Sequence, residues 1–386
     1  SINLTVEDSR IVAGNGMGII AGEARNTDFI NCNVIECEMI TTVRSGGQGG
    51  IVGNVFAYDN AMDTLFIKDC TSNIRFSSDG SYYSCGGIVG YACSQRCVLV
   101  IENCMNYSNV IGIEDTGGIL GTGGVIGNDE SSAFVVRECK NYGEITLGRY
   151  SGGIVGYCWD IEVSRCFNWG DVTANYNAGG IIGINMDGIV IECANMGNMS
   201  SISTSGAEVG GLVGDHSGGV VANCYNRGEV SAVYDDPNRT NEALGGIVGR
   251  STGSIYNVYN AGTVVVPELP SSSDTVSYGA IIGHTTEEGK YMNCYWLEQD
   301  NLPACGNANL PDLPGSSAFN EGEAFNEWML NDPQYGTDYL LDALNFGAPA
   351  VLDSVPSYPN LCVWQKDEYG VNGGLPIFDF QEVPNR

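Results

Sequence analysis

Gly152-Gly-Ile-Val-Gly-Tyr157, with Cys166-Phe-Asn-Trp-Gly170 shortly after it, is the stretch that decides the architecture of this chain, because both halves recur. The first half returns as Gly18-Ile-Ile-Ala-Gly22, Gly50-Ile-Val-Gly53, Gly87-Ile-Val-Gly90 and Gly118-Ile-Leu-Gly121. Beyond it come Gly180-Ile-Ile-Gly183, Gly211-Leu-Val-Gly214, Gly246-Ile-Val-Gly249 and Gly279-Ala-Ile-Ile-Gly283. Steps between copies run from 27 residues, Gly153 to Gly180, to 37, Gly50 to Gly87. The second half returns as Cys139-Lys-Asn-Tyr-Gly143, Cys193-Ala-Asn-Met-Gly197 and Cys224-Tyr-Asn-Arg-Gly228. Cys104-Met-Asn106 lacks the final glycine, and Val258-Tyr-Asn-Ala-Gly262 lacks the cysteine. Self-similarity at such a period describes stacked units, none of which can bury its apolar face alone.

Each unit is too short for a βαβ module. In the shortest copy Gly153–Tyr157 reads as one strand, Ile161–Cys166 as a second and Asp171–Thr173 as a third. Ile161 and Val163 alternate with Glu162 and Ser164, the period of a half-buried strand. Propeller blades need about 40 residues and four antiparallel strands, which so short a copy does not supply. The expected fold is all-β: a right-handed parallel β-helix (a β-solenoid) of about nine coils, on the order of 45 Å long. Cys and Asn two residues apart share a strand face, so both should point into the rod. Stacked Asn side chains can then bond to one another and satisfy polar groups that are costly to bury alone. The Gly two residues after each Asn is read as a corner with positive φ. Val258, standing where other copies carry Cys, suggests that the cysteine fills an apolar hole.

This pair of motifs resembles the GLUG repeat family, a Gly-Leu-x-Gly block followed by a Cys-Tyr-Asn-x-Gly-x-Val segment. The match is clearest in Gly210-Gly-Leu-Val-Gly214 with Asn223-Cys-Tyr-Asn-Arg-Gly-Glu-Val230, and it spans roughly residues 14–296. The resemblance implies a bacterial surface or secreted protein of adhesin-like type. Some relatives of that kind are metallopeptidases, but a zinc-binding His-Glu-x-x-His helix has no counterpart here. The two histidines, His216 and His284, stand in Asp-His-Ser and Gly-His-Thr contexts.

Charge narrows the function classes. A formal net charge of −30 with only 16 basic residues argues against nucleic-acid binding and against docking on anionic lipid. No apolar run approaches the length of a transmembrane helix. The sequence begins at Ser1, which reads as a mature chain whose signal peptide has been removed. A secreted or surface-displayed monomer is expected.

Fifteen cysteines are present, and eight of them (Cys32, Cys70, Cys104, Cys139, Cys166, Cys193, Cys224, Cys294) fall in or near the ladder position. In-register residues on neighbouring coils have parallel side-chain vectors at the strand spacing, a poor fit to disulfide geometry. Free, buried thiols acting as small hydrophobes are expected. Cys93 and Cys97 are the local disulfide candidates, and the oxidation state of Cys305 and Cys362 is left open by the sequence.

Composition changes near residue 297. Residues 1–296 carry the repeats. Residues 297–386 hold nine of the 12 prolines and fourteen acidic against two basic residues. Helical patterns are read at Ala318–Leu330 and Tyr339–Leu344, and Leu361–Trp364 with Leu375–Phe378 reads as a closing strand pair. This tail is similar to segments that follow GLUG repeats in gut-bacterial surface proteins. It is expected to be a small α+β cap over the open end of the solenoid, whose backbone and core would otherwise be exposed.

For chemistry, a glycosidase would need two carboxylates set across a sugar. Glu114-Asp115 and Asp235-Asp236 are acidic pairs on expected loops with no partner motif, and they read as solvated charge. Asp235, Asp236, Asn238 and Glu242 supply hard oxygen ligands that suit calcium, without the ordered spacing of a dedicated loop. No catalytic set is evident and no cofactor is required. The positions flanking each ladder Asn should face outward, placing Tyr142, Phe167, Trp169, Tyr225 and Tyr259 in an aromatic stripe along the coils. Such a stripe can stack on sugars or dock a protein; its rings can also pack beneath neighbouring segments. The leading expectation is a non-enzymatic, adhesin-like protein that binds a glycan or a host or surface protein. The alternatives are a carbohydrate-active β-helix enzyme, a polysaccharide hydrolase or lyase, and a passive stalk.

Overall fold

The computed structural model describes the chain except residues 14–15, 42–45, 59–63, 79–83, 128–131, 204–205, 233–241, 267–275, 286–288, 298, 300–301, 308–323, 326–335, 356–357, 359–360 and 382–386. The repeats form a parallel β-solenoid. Among the described residues, two of its sheets hold nine strands each, one strand per coil, and run from Met17–Gly18 to Val276–Gly279 and from Ala21–Arg25 to Ile282–Thr285. A third sheet of nineteen strands takes up to two pieces from each coil, and a fourth of five spans Val110–Ile111 to Val230–Ala232. Neighbouring coils pair in parallel with equivalent residues aligned, as in Tyr150 with Asn177 and Asn168 with Asn195.

Each coil is more finely divided than three strands. The shortest copy contains Tyr150–Gly152, Val155–Trp159, Glu162–Ser164, Phe167–Asn168 and Val172–Ala174. The Gly-Gly block therefore lies at a corner between two strands rather than at the start of one. Ile154 and Val155 there are fully buried in a core that runs the length of the rod.

The asparagine ladder forms as expected. Asn106, Asn141, Asn168, Asn195, Asn226 and Asn260 are fully buried. Each of the first five donates from Nδ2 to the Oδ1 of the next at 2.8–2.9 Å. Asn168 also donates to the Gly170 carbonyl at 2.7 Å and accepts from the Gly170 N–H at 3.2 Å. Two donors and two acceptors are thereby all used, so burial leaves no polar atom unpaired. The ladder also explains the Gly-Gly block. A Cβ on Gly87, Gly118, Gly153, Gly180, Gly211 or Gly246 would overlap the side chain of Asn106, Asn141, Asn168, Asn195, Asn226 or Asn260 respectively. The two signatures are the two sides of one contact.

The positive-φ reading of the later glycines is overturned. Gly143, Gly170, Gly197, Gly228 and Gly262 are not among the positive-φ residues. A Cβ on any of them would instead overlap the carbonyl oxygen of the residue stacked one coil away. The left-handed corner lies five residues earlier, immediately before the ladder cysteine or its equivalent. Asn31, Asp69, Asn103, Glu138, Arg165, Glu192, Asn223, Asn257 and Asn293 occupy it with φ between 50° and 57°. Among residues with a side chain Asn and Asp tolerate that region best, and six of the nine are Asn or Asp.

All fifteen cysteines are free and buried, Cys93, Cys97, Cys305 and Cys362 included. Ladder thiols donate to the carbonyl two residues back, as Cys166 does to Ser164 at 3.3 Å. Burial pushes the Cys294 thiol up to about 12 and that of Cys305 up to about 11, which keeps both protonated.

Beyond residue 297 the chain divides. Ala304 and Cys305 add backbone pairing beyond the last full coil, through Ile281 N–H to Ala304 and the Ile282–Cys305 bridge. Ala324–Phe325, which the sequence places in a helix, instead pairs with Trp296 and Leu297 as a strand. The final edge offers unpaired backbone groups, and pairing satisfies them. The rest of Ala318–Leu330 lies outside the described residues. The other helical reading extends to Gly336–Ser354, and the closing pair forms between Trp364–Gln365 and Ile377–Phe378. These last elements do not sit over the end of the rod. They pack sideways, with Leu340, Leu344, Trp364, Leu375 and Phe378 buried against Tyr225, Tyr259 and Tyr295.

Candidate binding surface

The outward aromatic positions are divided by this lateral packing. Phe167, Tyr225 and Tyr259 point away from the solenoid core, yet they are 4%, 0% and 0% exposed. Tyr225 and Tyr259 stack at 5.0 Å beneath Trp364 and Phe378. Their hydroxyls are held as well: Tyr225 donates to Gln381 Oε1 at 2.8 Å and Tyr259 to the Pro376 carbonyl at 2.6 Å. Phe167 meets Phe378 and Phe380 edge to face. These three residues of the expected stripe are therefore buried anchors for the tail. The sequence gives no sign of it, since the covering residues lie more than a hundred positions away.

Trp169 and Tyr142 remain open at 36% and 40% exposure, and Tyr107, at 47%, joins them. The three rings stack along the rod: Tyr107 on Tyr142 at 4.9 Å and 4°, Tyr142 on Trp169 at 4.9 Å and 12°. Coil spacing dictates this geometry, because each ring is carried one residue after a ladder Asn whose register is fixed. Ring faces are consumed within the stack, so it presents edges to solvent. The exception is Tyr107, whose second face bears no other ring among the described residues and looks toward the preceding coil.

That face borders a surface groove of about 940 Å³, whose lining includes Tyr107, Asn73, Arg75, Asn109, Glu38 and Arg10. The strand Thr71–Ser78 makes the groove possible by running on through Ser78, where the strand beside Tyr107, Met105–Asn106, stops at the ladder Asn. Arg75 is paired in register with Glu38, and Glu38 with Arg10. Arg10 and Glu38 form an ion pair at 3.0 Å, and Arg75 has no ion-pair partner among the described residues.

A second polar region lies where the two nine-stranded sheets meet. Asp115 is not a solvated loop charge: it begins a strand, and its Oδ2 accepts from Thr122 Oγ1 at 2.6 Å. Burial pushes its carboxyl up to about 6. Following the register through Tyr150, Asn177 and Ala178, Glu208 is the later equivalent of Asp115; through Tyr157 and Ile184, Asp215 is that of Thr122. Burial first, then the Asp215 charge, push the Glu208 carboxyl up to about 7. Its Oε2 is buried with no hydrogen-bond partner among the described residues. A carboxyl raised in the folded state stabilises the fold below its unfolded value near 4.5. That stability is lost as pH rises towards 7. Glu208→Gln should therefore melt like the parent at pH 4.5 and be more stable at pH 8 by about 1–3 kcal/mol. Equal melting shifts at both pH values would refute the assignment. His216 acts in the opposite sense, since burial holds it down at about 4, so the comparison is between variant and parent at each pH.

Of the calcium candidates, Asp235, Asp236 and Asn238 lie outside the described residues. Glu242 is buried at the start of strand Glu242–Gly245 rather than exposed on a loop. Among the described residues no group of three or more His, Cys, Asp or Glu is placed to hold a metal ion. No described helix is long and apolar enough to cross a membrane. Comparison with protein-family models, with curated proteins and with solved structures found no match for this chain.

Proposed function

We propose that this chain is a non-enzymatic, surface-displayed or secreted binding protein of the GLUG-repeat kind, holding a glycan along the Tyr107–Tyr142–Trp169 row. The observation that carries the reading is this row of three exposed, mutually stacked rings on a rigid solenoid face. Its spacing is set by the coils, so it offers tyrosine and indole edges at a short regular repeat, suited to an extended polymer. Preorganised rings lose little conformational freedom on binding.

Trp169→Ala and Tyr142→Ala test the proposal. Retention on a glycan column should fall more than ten-fold, while stability drops by no more than about 1 kcal/mol, the worth of exposed ring stacking. Unchanged retention with lowered melting would make the row structural. Cleavage of a polysaccharide, abolished by removing one carboxylate, would replace binding with catalysis.

A further inference from the structure

We propose that the groove beside Tyr107 is a subsite for one carboxylate-bearing pyranose unit, at the end of the bound glycan. This rests on the glycan-binding reading above and adds a chemical class to it.

The open face of Tyr107 is the platform. Tyr142 covers one side of the ring at 4.9 Å, which fixes its plane and leaves the other side turned to the groove. A pyranose packs its C–H face on such a ring without a catalytic pocket. The Tyr107 N–H bonds the Ser72 carbonyl at 2.8 Å, so Asn73 and Arg75 follow on the adjacent coil. Asn73 and Arg75 are both exposed and both line the groove. An amide can donate to and accept from neighbouring hydroxyls, and Asn109 supplies a second one on the Tyr107 side.

The charge order selects the ligand. Of the two guanidinium groups in the groove, Arg10 is already held by Glu38. Arg75, one coil from Tyr107, is the uncommitted one, and its planar fork matches a carboxylate through two parallel hydrogen bonds. Glu36 and Asp8 also line the groove, one and two coils further from Tyr107 than Arg75. Arg75 is therefore the cation nearest Tyr107; Glu38, its register neighbour, is engaged by Arg10, and Glu36 and Asp8 lie on the coils beyond. An acidic sugar seated on Tyr107 meets Arg75 first, and the distant carboxylates disfavour a second anionic unit beyond it. A neutral sugar would gain the stacking and leave Arg75 unused.

Surface plasmon resonance on the intact chain tests this with trigalacturonic acid, a hyaluronan tetrasaccharide and 3′-sialyllactose, each beside its methyl ester. At least one acid should bind ten-fold or more tightly than its ester. Arg75→Gln should erase that preference, and Tyr107→Ala should weaken acid and ester alike, both with unchanged circular dichroism. Acids and esters binding equally, or a preference that survives Arg75→Gln, would overturn the proposal. If Trp169→Ala still abolishes glycan retention in that case, the broader reading stands and only the subsite falls. If no glycan is retained by the parent chain, both fall.

Discussion

Gly153→Ala is expected to destabilise the solenoid by at least about 3 kcal/mol, the upper end of ordinary overpacking. The added Cβ would overlap the Gly180 carbonyl oxygen and the Asn168 side chain together. Neither can yield easily. The Gly180 backbone belongs to the stacked coil, and Asn168 is fixed by Asn141, Asn195 and Gly170. Any shift of Asn168 breaks the ladder in both directions, leaving buried amide groups unpaired at about 1–3 kcal/mol each. Chemical denaturation should show the loss directly. By contrast, Gly127→Ala, at a positive-φ glycine where an added Cβ meets open space, should cost only the backbone strain, about 1–2 kcal/mol. Equal costs at the two positions would show that backbone conformation, and not contact with Asn168, is what Gly153 provides.

Glu192→Ala is the second large effect, and it should release the tail without unfolding the rod. Glu192 is fully buried, on a left-handed corner of the solenoid. It receives Arg165 Nε at 2.8 Å, the Tyr358 hydroxyl at 2.9 Å and the Cys362 N–H. Three donors, two of them from the tail, converge on one carboxylate. Losing it strands a buried backbone N–H and an arginine whose side chain is 31% exposed. Partial hydration of Arg165 places the cost near the lower end of the buried-pair range, about 3 kcal/mol. Trp364 and its bond to Asn223 at 2.7 Å hold the same segment, so the release will be local. Hydrogen exchange should accelerate across 358–381 and around Tyr225 and Tyr259, with the Asn106–Asn260 ladder still protected. Uniform acceleration along the chain would mean that tail and rod unfold as one unit.

The inward-facing contacts that repeat from coil to coil were legible in the sequence. Asn168 meets Asn195, and Cys166 lies one coil from Cys193, because each inward residue's neighbours are its own equivalents one period away. A contact between copies of one motif is visible in the motif. The same logic accounts for the aliphatic pair of the Gly-Gly block, since Ile154 and Val155 are stacked between their equivalents Ile119–Leu120 and Ile181–Ile182 in the core. It failed for the glycines after the ladder Asn, where close backbone approach and not φ is the constraint. It also missed the left-handed corner, although Asn103, Asn223, Asn257 and Asn293 carried the signal in their side chains.

What the sequence determined by itself was therefore the solenoid and its interior, since stacking in register converts a linear repeat directly into contacts. Only the tertiary structure decided the exterior. Whether Tyr142 or Tyr225 is available depends on residues that never repeat: the Tyr259 hydroxyl meets the Pro376 carbonyl across 117 positions, and Trp364 meets Asn223 across 141. The half-burial of Asp115 and Glu208 likewise depends on the neighbouring sheet, from which Thr122 reaches Asp115 and Asp215 faces Glu208. The groove at Tyr107 exists because one strand runs on where its neighbour stops. A repeat pattern fixes what each coil shares with the next, whereas a binding surface is made where the coils and the tail depart from that pattern.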